Sequence, residues 1–280
     1  MSFLVFINDL PSCVSAGTKT RLFAEINSVE DQIILQTDLD AISRWNQDWQ
    51  MNFNTDKCFK MNFTTKKTIK TSPNTLCQKT LEATHSHPYL GLKFCDNLRW
   101  KEHISEVTNS CKKILGVIRR NFKACPTYIK SCLYLSLIQP KLTYESAAWI
   151  PSTNEERHQL DMIQRSAARL CYNNYSREAS VTQMLNQLEW PSLDTCRLIT
   201  RLSLMYRITH NLVDIDWQDP LTRPTRMTRR HHPSSIRVNS ATYANSFFPW
   251  TIPHWNGLPH DILDIPDYKN FKTAIRDYLN

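Results

Sequence analysis

The sequence predicts an α+β fold in which a small sheet of short strands precedes a mainly α-helical body. From Trp100 onward, apolar residues recur at helical spacing in one segment after another. Before Trp100 the apolar runs are short, except in one segment that begins with a helix-capping signal at Ser28 and Asp31. The chain has 280 residues, of which 41% are hydrophobic and 21% charged, so it can bury a sizeable core.

The N-terminal segment opens with a short apolar run, Phe3–Ile7, which is interpreted as a helix end or a strand and which closes at Pro11. Thr20–Ala24 is strand-like. Ser28 and Asp31 then form a capping box, in which the hydroxyl and the carboxylate satisfy free amides of the first helical turn. The helix that follows carries an apolar stripe made of Val29, Ile33, Leu39, Ile42, Trp45 and Trp49.

A break at Asn52–Asp56 ends this helix, and the alternation in Cys58–Phe63 predicts a strand. The polar stretch Thr64–Thr75 is interpreted as a loop. Leu76–Phe94 predicts short strands with a turn at Tyr89-Leu90-Gly91. Together these elements make up the predicted small sheet.

The helical body begins with a helix whose apolar face is formed by Trp100, Ile104, Val107, Cys111, Ile114 and Ile118. Five further helices are predicted over residues 126–138, 154–170, 181–188, 193–212 and 268–279. The aromatic stretch from Phe247 to Pro259 must pack on these helices, and the last helix is expected to dock on them. Stripes of this kind are typical of a helix-bundle core and not of a cofactor site.

Composition argues against several classes of site. The chain has 4 glycines and no glycine-rich phosphate-binding motif. Its 9 cysteines form no CxxC pair, so free thiols in a reducing compartment are expected. His85 and His87 lie between Cys77 and Cys95 at spacings that match no zinc module. The start has no basic leader and no window reaches the length of a membrane span, which predicts an intracellular protein, in the cytoplasm or the nucleus, with no membrane partner.

The net charge of +8 favours a polyanionic partner, of which nucleic acid is the commonest. One basic cluster lies on or near the first helix of the helical body and consists of Lys112, Lys113, Arg119, Arg120 and Lys123. It is interpreted either as a solvated helix face or as a set of phosphate contacts. A second basic stretch, Pro220–Arg237, is either a loop or a nucleic-acid contact.

Eight short strings along the chain share their order with the motifs of one protein family. They are Phe3–Pro11, Arg21–Ala24, Leu39–Trp49 with Asn54 and Lys57-Cys58, Tyr89-Leu90-Gly91, Pro140–Glu145, Gln164–Arg169, Ser246–Pro249 and Trp255–Pro259. In this order they resemble the C-terminal half of the reverse transcriptases of non-LTR retrotransposons, of the jockey-like or CR1-like type. The resemblance spans nearly the whole chain.

The resemblance implies three regions. Residues 1–95 would be a partial reverse-transcriptase palm with a small incomplete sheet, and residues 96–175 a helical thumb. Residues 176–280 would be a C-terminal helical region with a basic loop and an aromatic tail. Tyr89-Leu90-Gly91 would be a turn of the primer-grip type. Because the family's thumb holds the primer–template duplex by its backbone, the resemblance makes a contact to an RNA or DNA duplex one interpretation of the basic cluster at Lys112–Lys123, with equal weight to that of a solvated helix face.

The departures from the family concern the catalytic carboxylates. Family members carry two adjacent aspartates directly after the Phe-Ala pair, whereas here Ala24 is followed by Glu25, Ile26 and Asn27. The family's other catalytic aspartate lies upstream of the Phe3–Pro11 segment, and the chain starts after it. Polymerisation uses two Mg²⁺ ions held by converging carboxylates, and Glu25 alone cannot hold them. We therefore expect no catalytic residue, no metal ligand and no cofactor in the chain as it stands, although the family uses Mg²⁺.

Other polar residues have simpler interpretations. The remaining acidic candidates are interpreted as capping or solvated groups: Glu30, Asp31, Asp38, Asp40, Glu155, Glu156, Asp214 and Asp216. Lys57 resembles a palm lysine of polymerases, but without a metal site a solvated loop lysine is the preferred interpretation.

Three functions remain open from the sequence. The chain is an inactive fragment of a reverse transcriptase, or a remnant that still binds an RNA/DNA duplex without any small-molecule cofactor. Alternatively, it represents an active reverse transcriptase whose sequence is truncated or mis-spliced. In each case we expect a poorly formed N-terminal part of about ninety residues and a more robust helical body, because an unpaired strand edge is a liability.

Overall fold

A computed structural model describes residues 18–19, 21–22, 24–26, 28–50, 53–63, 73–213, 221–222, 237–238 and 246–279. Phe3–Ile7, Pro11, Cys13, residues 64–72 and the basic stretch Arg223–His232 lie outside the described residues. The chain forms two compact units, residues 1–98 and 99–280, which are described separately below. At this level the fold is α+β: short strands lie mostly in the N-terminal unit and most helices in the other. The predicted division at residue 175 stays a prediction.

The N-terminal unit contains one long helix, α1 (Val29–Asp48). Its predicted capping box is confirmed: the Ser28 amide donates to Asp31 Oδ2 at 2.8 Å, and the Asp31 amide donates to Ser28 Oγ at 3.2 Å. The predicted apolar stripe is only half correct. Leu39 and Trp45 are buried, but Val29, Ile33 and Trp49 are exposed.

The strands of this unit pair only two by two within the part of the chain that the structure describes. Their bounds are β1 (Thr18–Lys19), β2 (Arg21–Leu22), β3 (Phe59–Lys60), β4 (Thr75–Leu76), β5 (Lys79–Thr80), β6 (Glu82–Ala83), β7 (Ser86–Tyr89) and β8 (Leu92–Cys95). Four pairs are formed: β1–β2, β4–β5 and β7–β8 are antiparallel, and β3–β6 is parallel. The strand predicted over Cys58–Phe63 is reduced to β3, which follows a one-turn 3₁₀ helix, Thr55–Lys57.

Polar side chains of α1 hold the extended segments of this unit. Gln36 Nε2 donates to the Thr75 carbonyl at 3.0 Å, and the Thr75 amide donates back to Gln36 Oε1 at 3.0 Å. Ser43 Oγ accepts from the Cys77 amide at 3.0 Å, and Asn46 Oδ1 accepts from the Phe53 amide at 3.1 Å. These bonds satisfy backbone groups of short extended segments, because a buried unpaired amide or carbonyl is costly.

The helical unit contains nine helices among its described residues. Their bounds are α2 (Lys101–Asn121), α3 (Thr127–Leu137), α4 (Gln139–Thr143), α5 (Asn154–Tyr172), α6 (Val181–Gln187), α7 (Leu193–Thr209), α8 (Phe247–Asn256), α9 (His260–Leu263) and α10 (Tyr268–Leu279). A two-stranded pair, β9 (Leu221–Thr222) and β10 (Arg237–Val238), precedes α8. The sequence predicted neither α8 nor α9 as a helix, because the prolines and aromatic residues of this stretch carry no clear helical period.

Helix α5 is the centre of the first helical group, and it packs against α2, α3 and α6. It begins with a second capping box, in which the Glu156 amide donates to Thr153 Oγ1 at 3.2 Å and Glu156 Oε2 accepts from the Thr153 amide at 3.2 Å. Helix α3 follows Pro126 and ends before Pro140, as predicted. The chain then forms α4, which tolerates Pro140 because the residue lies in its first turn.

A second group forms where α7 packs against α8 and α10. Tyr206 stacks on Phe271 with ring centroids 4.3 Å apart, and Trp255 lies 5.8 Å from the same ring. The prediction that the last helix docks on the helical body is confirmed, because Phe271 and Ile275 are fully buried in this group.

Candidate nucleic-acid interface

The fold of α2 exposes the basic cluster that the sequence singled out. The buried side of α2 is formed by His103, Ile104, Thr108, Cys111, Leu115 and Ile118. Because these residues pack against neighbouring helices, the opposite side of α2 faces solvent. Exposed on or just beyond α2 is the cluster that we name the α2 basic cluster: Lys112, Lys113, Arg119, Arg120 and Lys123. Among the described residues, none of these five side chains forms an ion pair with a carboxylate.

The spacing of the cluster places its members on one stretch of the helix. Lys113 and Arg120 are seven residues apart, which is two turns or about 10 Å along the axis. Gly116 lies between them, and a Cβ atom added there would be 3.7 Å from Arg120 Nη1. The Arg120 guanidinium therefore lies beside Gly116, on the part of the helix surface between the lysines and the arginines.

The end of α2 is fixed by a buried lysine. Lys130, on α3, donates from Nζ to the Lys123 carbonyl at 3.1 Å and to Asn173 Oδ1 at 3.0 Å. Asn173 follows α5, so this bond network holds the C-terminal ends of α2 and α5 together. Beside it, the guanidinium of Arg119 lies 5.2 Å from the centre of the Tyr175 ring. The backbone that carries the cluster is thus held in one position.

The helix dipole explains part of this charge pattern. Cations are stabilised in the last turn of a helix by its unpaired carbonyl groups, which accounts for Arg119 and Arg120 without any ligand. That effect decays within one turn, however, and Lys112 and Lys113 lie two turns further back. The lysines therefore need a different explanation, either solvation or an anionic partner.

A second basic feature, which the sequence did not predict as a site, is a groove on the outer side of α5. It has a volume of about 400 Å³ and is lined by His158, Asp161, Met162, Arg165, Ser166, Arg169 and Val181. Burial, followed by the nearby Asp194 carboxylate, raises the pKa of Asp161. We call it the α5 groove. The signal was present in the sequence, since basic residues recur at positions 158, 165 and 169 between the apolar positions 160, 163, 167 and 170.

The turn proposed as primer-grip-like is a hairpin tip. Leu90 and Gly91 join β7 to β8, and their φ angles of 47° and 81° are both positive, as in a two-residue type I′ turn. Tyr89 lies at the end of β7, with its ring centroid 6.3 Å from that of Phe94. Leu90 is 71% exposed although it is apolar. The turn belongs to the N-terminal unit, and its role stays a prediction.

Among the described residues, several acidic side chains act as helix caps or hydrogen-bond acceptors. Asp31 caps α1, Asp40 accepts from Gln36 Nε2 at 2.8 Å, and Glu156 caps α5. Glu25 is an exposed residue outside the helices and strands, and Asp214 and Asp216 lie outside the described residues. Nowhere in the described ranges do three or more histidine, cysteine, aspartate or glutamate residues form a group that could hold a metal ion.

The sequence analysis also named His85 and Lys57, and the structure places both in the N-terminal unit. His85 Nδ1 lies 2.7 Å from Asp96 Oδ2 at the open end of the β7–β8 hairpin. Lys57 ends the short 3₁₀ helix, and its side chain is outside the described part.

Not every basic residue is available to a ligand. Arg197 and Arg201 are buried on α7, one turn apart. Arg197 Nη1 donates to Asp194 Oδ1 at 2.9 Å, whereas Arg201 donates to the Ser146, Ser246 and Phe247 carbonyls at 3.3 to 3.5 Å. Burial lowers the pKa of Arg201 to about 10. These two guanidinium groups lie in the interior and are not accessible to nucleic acid.

Comparisons of the chain with protein-family models, with curated proteins and with solved structures each gave no match. Separately, none of the helices in the described ranges is long and apolar enough to cross a membrane.

Proposed function

We propose that the chain is a catalytically inactive relative of a non-LTR retrotransposon reverse transcriptase that binds an RNA or DNA duplex through its helical unit. The observation that supports binding is the α2 basic cluster, five exposed cations on and just beyond one packed helix. The observation that supports inactivity is the sequence after Ala24, where Glu25 and Ile26 follow directly and the paired aspartates that the resemblance leads one to expect are absent.

The binding proposal rests on a fixed scaffold. Helix α2 is packed along its buried side, and its C-terminal end is tied to α3 and α5 through Lys130. A rigid backbone means that little ordering is required when a partner binds. Phosphate contacts from lysine and arginine carry no base information, so the proposed binding is independent of sequence and weakens as salt rises.

The inactivity proposal follows from the chemistry of phosphoryl transfer. Two metal ions must stabilise the attacking and leaving oxygens, and magnesium requires oxygen ligands in near-octahedral geometry. Glu25 offers one carboxylate on an exposed segment. A single carboxylate of this kind cannot fix two ions at the spacing that the reaction needs.

The binding experiment is a titration of an RNA–DNA hybrid duplex by fluorescence anisotropy over a series of salt concentrations. The test variant is Lys112→Gln with Lys113→Gln, and the matched control is Lys269→Gln with Lys272→Gln on α10. Both variants lose two exposed positive charges. We expect the first to lower the slope of log affinity against log salt by about 1 per lysine and the second to leave it near the wild-type value. Equal slopes in the two variants would contradict the assignment of the interface.

The catalytic experiment is primer extension on a homopolymer template with magnesium or manganese. We expect no extension above a protein-free blank. Extension that disappears when a chelator is added would overturn the proposed inactivity, and would favour an active reverse transcriptase instead.

A further inference from the structure

The α5 groove is aligned with one outward side of its helix. His158, Arg165 and Arg169 recur at intervals of seven and four residues, so their row extends about 16 Å along α5. Asp161 is the one carboxylate among the lining residues. Arg165 is exposed and, among the described residues, has no hydrogen bond or ion pair. The Asp161 carboxylate interacts electrostatically with Arg165 and His158, and two arginines against one carboxylate leave the groove with a net positive charge.

A short bridge connects the α5 groove to the α2 basic cluster. Tyr175, in the chain that follows α5, lies under the Arg119 guanidinium at 5.2 Å. The next residue, Ser176, accepts from Arg169 Nη1 through its carbonyl at 2.7 Å. Cations thus follow one another around the C-terminal ends of the two helices. We call this row the basic track. It leads from Lys113 and Arg120 through Arg119 and the Tyr175 ring to Arg169 and Arg165.

The shape of the track distinguishes between two kinds of nucleic acid. Helices α2 and α5 pack on each other through their buried sides, so their outward sides face away from one another. A duplex has a persistence length of about 150 base pairs, and it cannot turn around the end of a helix pair without a large bending cost. A single strand is flexible and can follow this path.

The bridge also presents an aromatic ring. Tyr175 is 51% exposed although the Arg119 guanidinium lies against its ring. Proteins that bind single strands combine a positively charged groove with aromatic side chains on which bases stack. The α5 groove and Tyr175 together provide both parts.

We propose that the α5 groove binds a single-stranded extension of the nucleic acid whose duplex lies on the α2 basic cluster, with Tyr175 stacking on a base at the junction. This inference rests on the proposed function, because it assumes that the duplex occupies α2. The phosphates of the extension would be contacted by Arg165 and Arg169 along the groove.

The test uses the full chain and two ligands, a blunt RNA–DNA duplex and the same duplex with a single-stranded overhang. Affinities are measured by anisotropy for the wild type and four variants. Arg165→Gln and Tyr175→Ala remove the proposed contacts. Tyr175→Phe keeps the aromatic ring, and Arg157→Gln removes an exposed charge from the same helix outside the groove. Circular dichroism checks that each variant is folded.

We expect the wild type to bind the overhang ligand about ten-fold more tightly than the blunt duplex. Arg165→Gln should reduce this preference several-fold while the affinity for the blunt duplex stays unchanged. Tyr175→Ala should also reduce the preference, and because Tyr175 contacts Arg119 of the α2 basic cluster, its effect is taken from the ratio of the two affinities. Tyr175→Phe and Arg157→Gln should retain the preference. Binding of both ligands with equal affinity by the wild type overturns this inference and leaves the proposed duplex binding intact. Failure to bind either ligand overturns the proposed function itself, and the inference with it.

Discussion

The two units of this chain satisfy their backbone hydrogen bonds and bury their apolar side chains in different ways. In the N-terminal unit, the strands are two to four residues long, and backbone groups depend on side chains of α1 such as Gln36 and Asn46. In the helical unit, every long helix satisfies its own backbone and buries an apolar stripe. Apolar side chains reflect this difference, since Ile33 and Ile34 of α1 are exposed while Trp149 and Trp255 of the helical unit are fully buried.

Helices and strands therefore do not contribute equally to the stability of the two units. A helix carries its hydrogen bonds with it, whereas a strand needs a partner of matching length, and two-residue pairs provide few bonds. The N-terminal unit therefore depends on a few long-range contacts. We expect it to open at a lower free energy than the helical unit, as the sequence already suggested.

The largest expected effect is a difference in lost stability between a core tryptophan of the helical unit and one of the N-terminal unit. Trp255→Ala should reduce the free energy of unfolding of the helical unit by about 3 to 5 kcal/mol, because a fully buried indole leaves a cavity. Trp45→Ala in the N-terminal unit should cost less, since its neighbours Trp49 and Phe53 can relax into the space. Chemical denaturation followed by hydrogen exchange of each unit measures both values. The exposed Trp49 serves as the control, and equal losses at Trp45 and Trp255 would refute the contrast.

The rate of cysteine alkylation gives a second comparison between the helical unit and the N-terminal unit. Burial raises the pKa of Cys111 and of Cys171 from 9.0 to about 11. At neutral pH these thiols carry about 100-fold less thiolate than an ordinary cysteine, and they are also inaccessible. Alkylation followed by peptide mass spectrometry should show Cys111 and Cys171 reacting at least about 100-fold more slowly than the half-buried Cys77 of the N-terminal unit.

The exposed Cys132 lies in the helical unit and controls for position in the chain. It should react faster than either buried thiol. Slow labelling of Cys132 would show that protection belongs to the whole unit and not to burial of individual thiols. The contrast also has a pH signature: because the raised pKa keeps the thiols protonated, labelling of Cys111 should continue to accelerate above pH 9.

A buried cation should account for part of the strength of the helical unit. Arg201→Met removes hydrogen bonds to three carbonyls, and contacts to the Phe247 and Trp250 rings, that link α7 to α8. We expect a loss of about 2 kcal/mol, because the carbonyls become unsatisfied while the cost of burying an unpaired charge disappears. Thermal unfolding measures the loss. Arg207→Met, at an exposed site on the same helix, should have little effect, and a similar loss at both positions would contradict the role of Arg201.

The smallest effect concerns the surface of α2. Gly116→Ala should stabilise the helical unit by about 0.5 to 1 kcal/mol, because glycine inside a helix is entropically unfavourable and the new methyl has room beside Arg120. The added methyl should also weaken duplex binding slightly if a phosphate backbone lies against this surface.

Gly257→Ala is the matched control for this change. Gly257 caps the end of α8, and a Cβ there would meet the Pro253 carbonyl oxygen at 3.4 Å, so no gain is expected. Denaturant titration reports both changes. Stabilisation at Gly257 equal to that at Gly116 would show that helix propensity is not the cause.

Much of the helical architecture could be predicted from the sequence because its signals are local. Ser28 and Asp31 are three residues apart, and their capping box is formed as predicted. The last helix, Tyr268–Leu279, has the predicted bounds. The exposed positions of Lys112 and Arg120 also follow from the apolar stripe of the same helix. In each case the information lies within one or two turns, where helical spacing relates residue number directly to position in space.

The tertiary structure alone decided which partners the local elements meet. Gln36 contacts Thr75 across 39 residues, and Arg201 contacts Ser146 across 55. The bridge between Arg119 and Tyr175, and with it the α5 groove, arises only when two distant helices pack with their C-terminal ends together. The sequence by itself therefore determined the long helices with a clear apolar period, the cap at Ser28 and the charged side of α2. It could not determine the exposed stripe of α1, the buried arginines or the basic track, because these depend on contacts between residues whose separation along the chain carries no periodic signal.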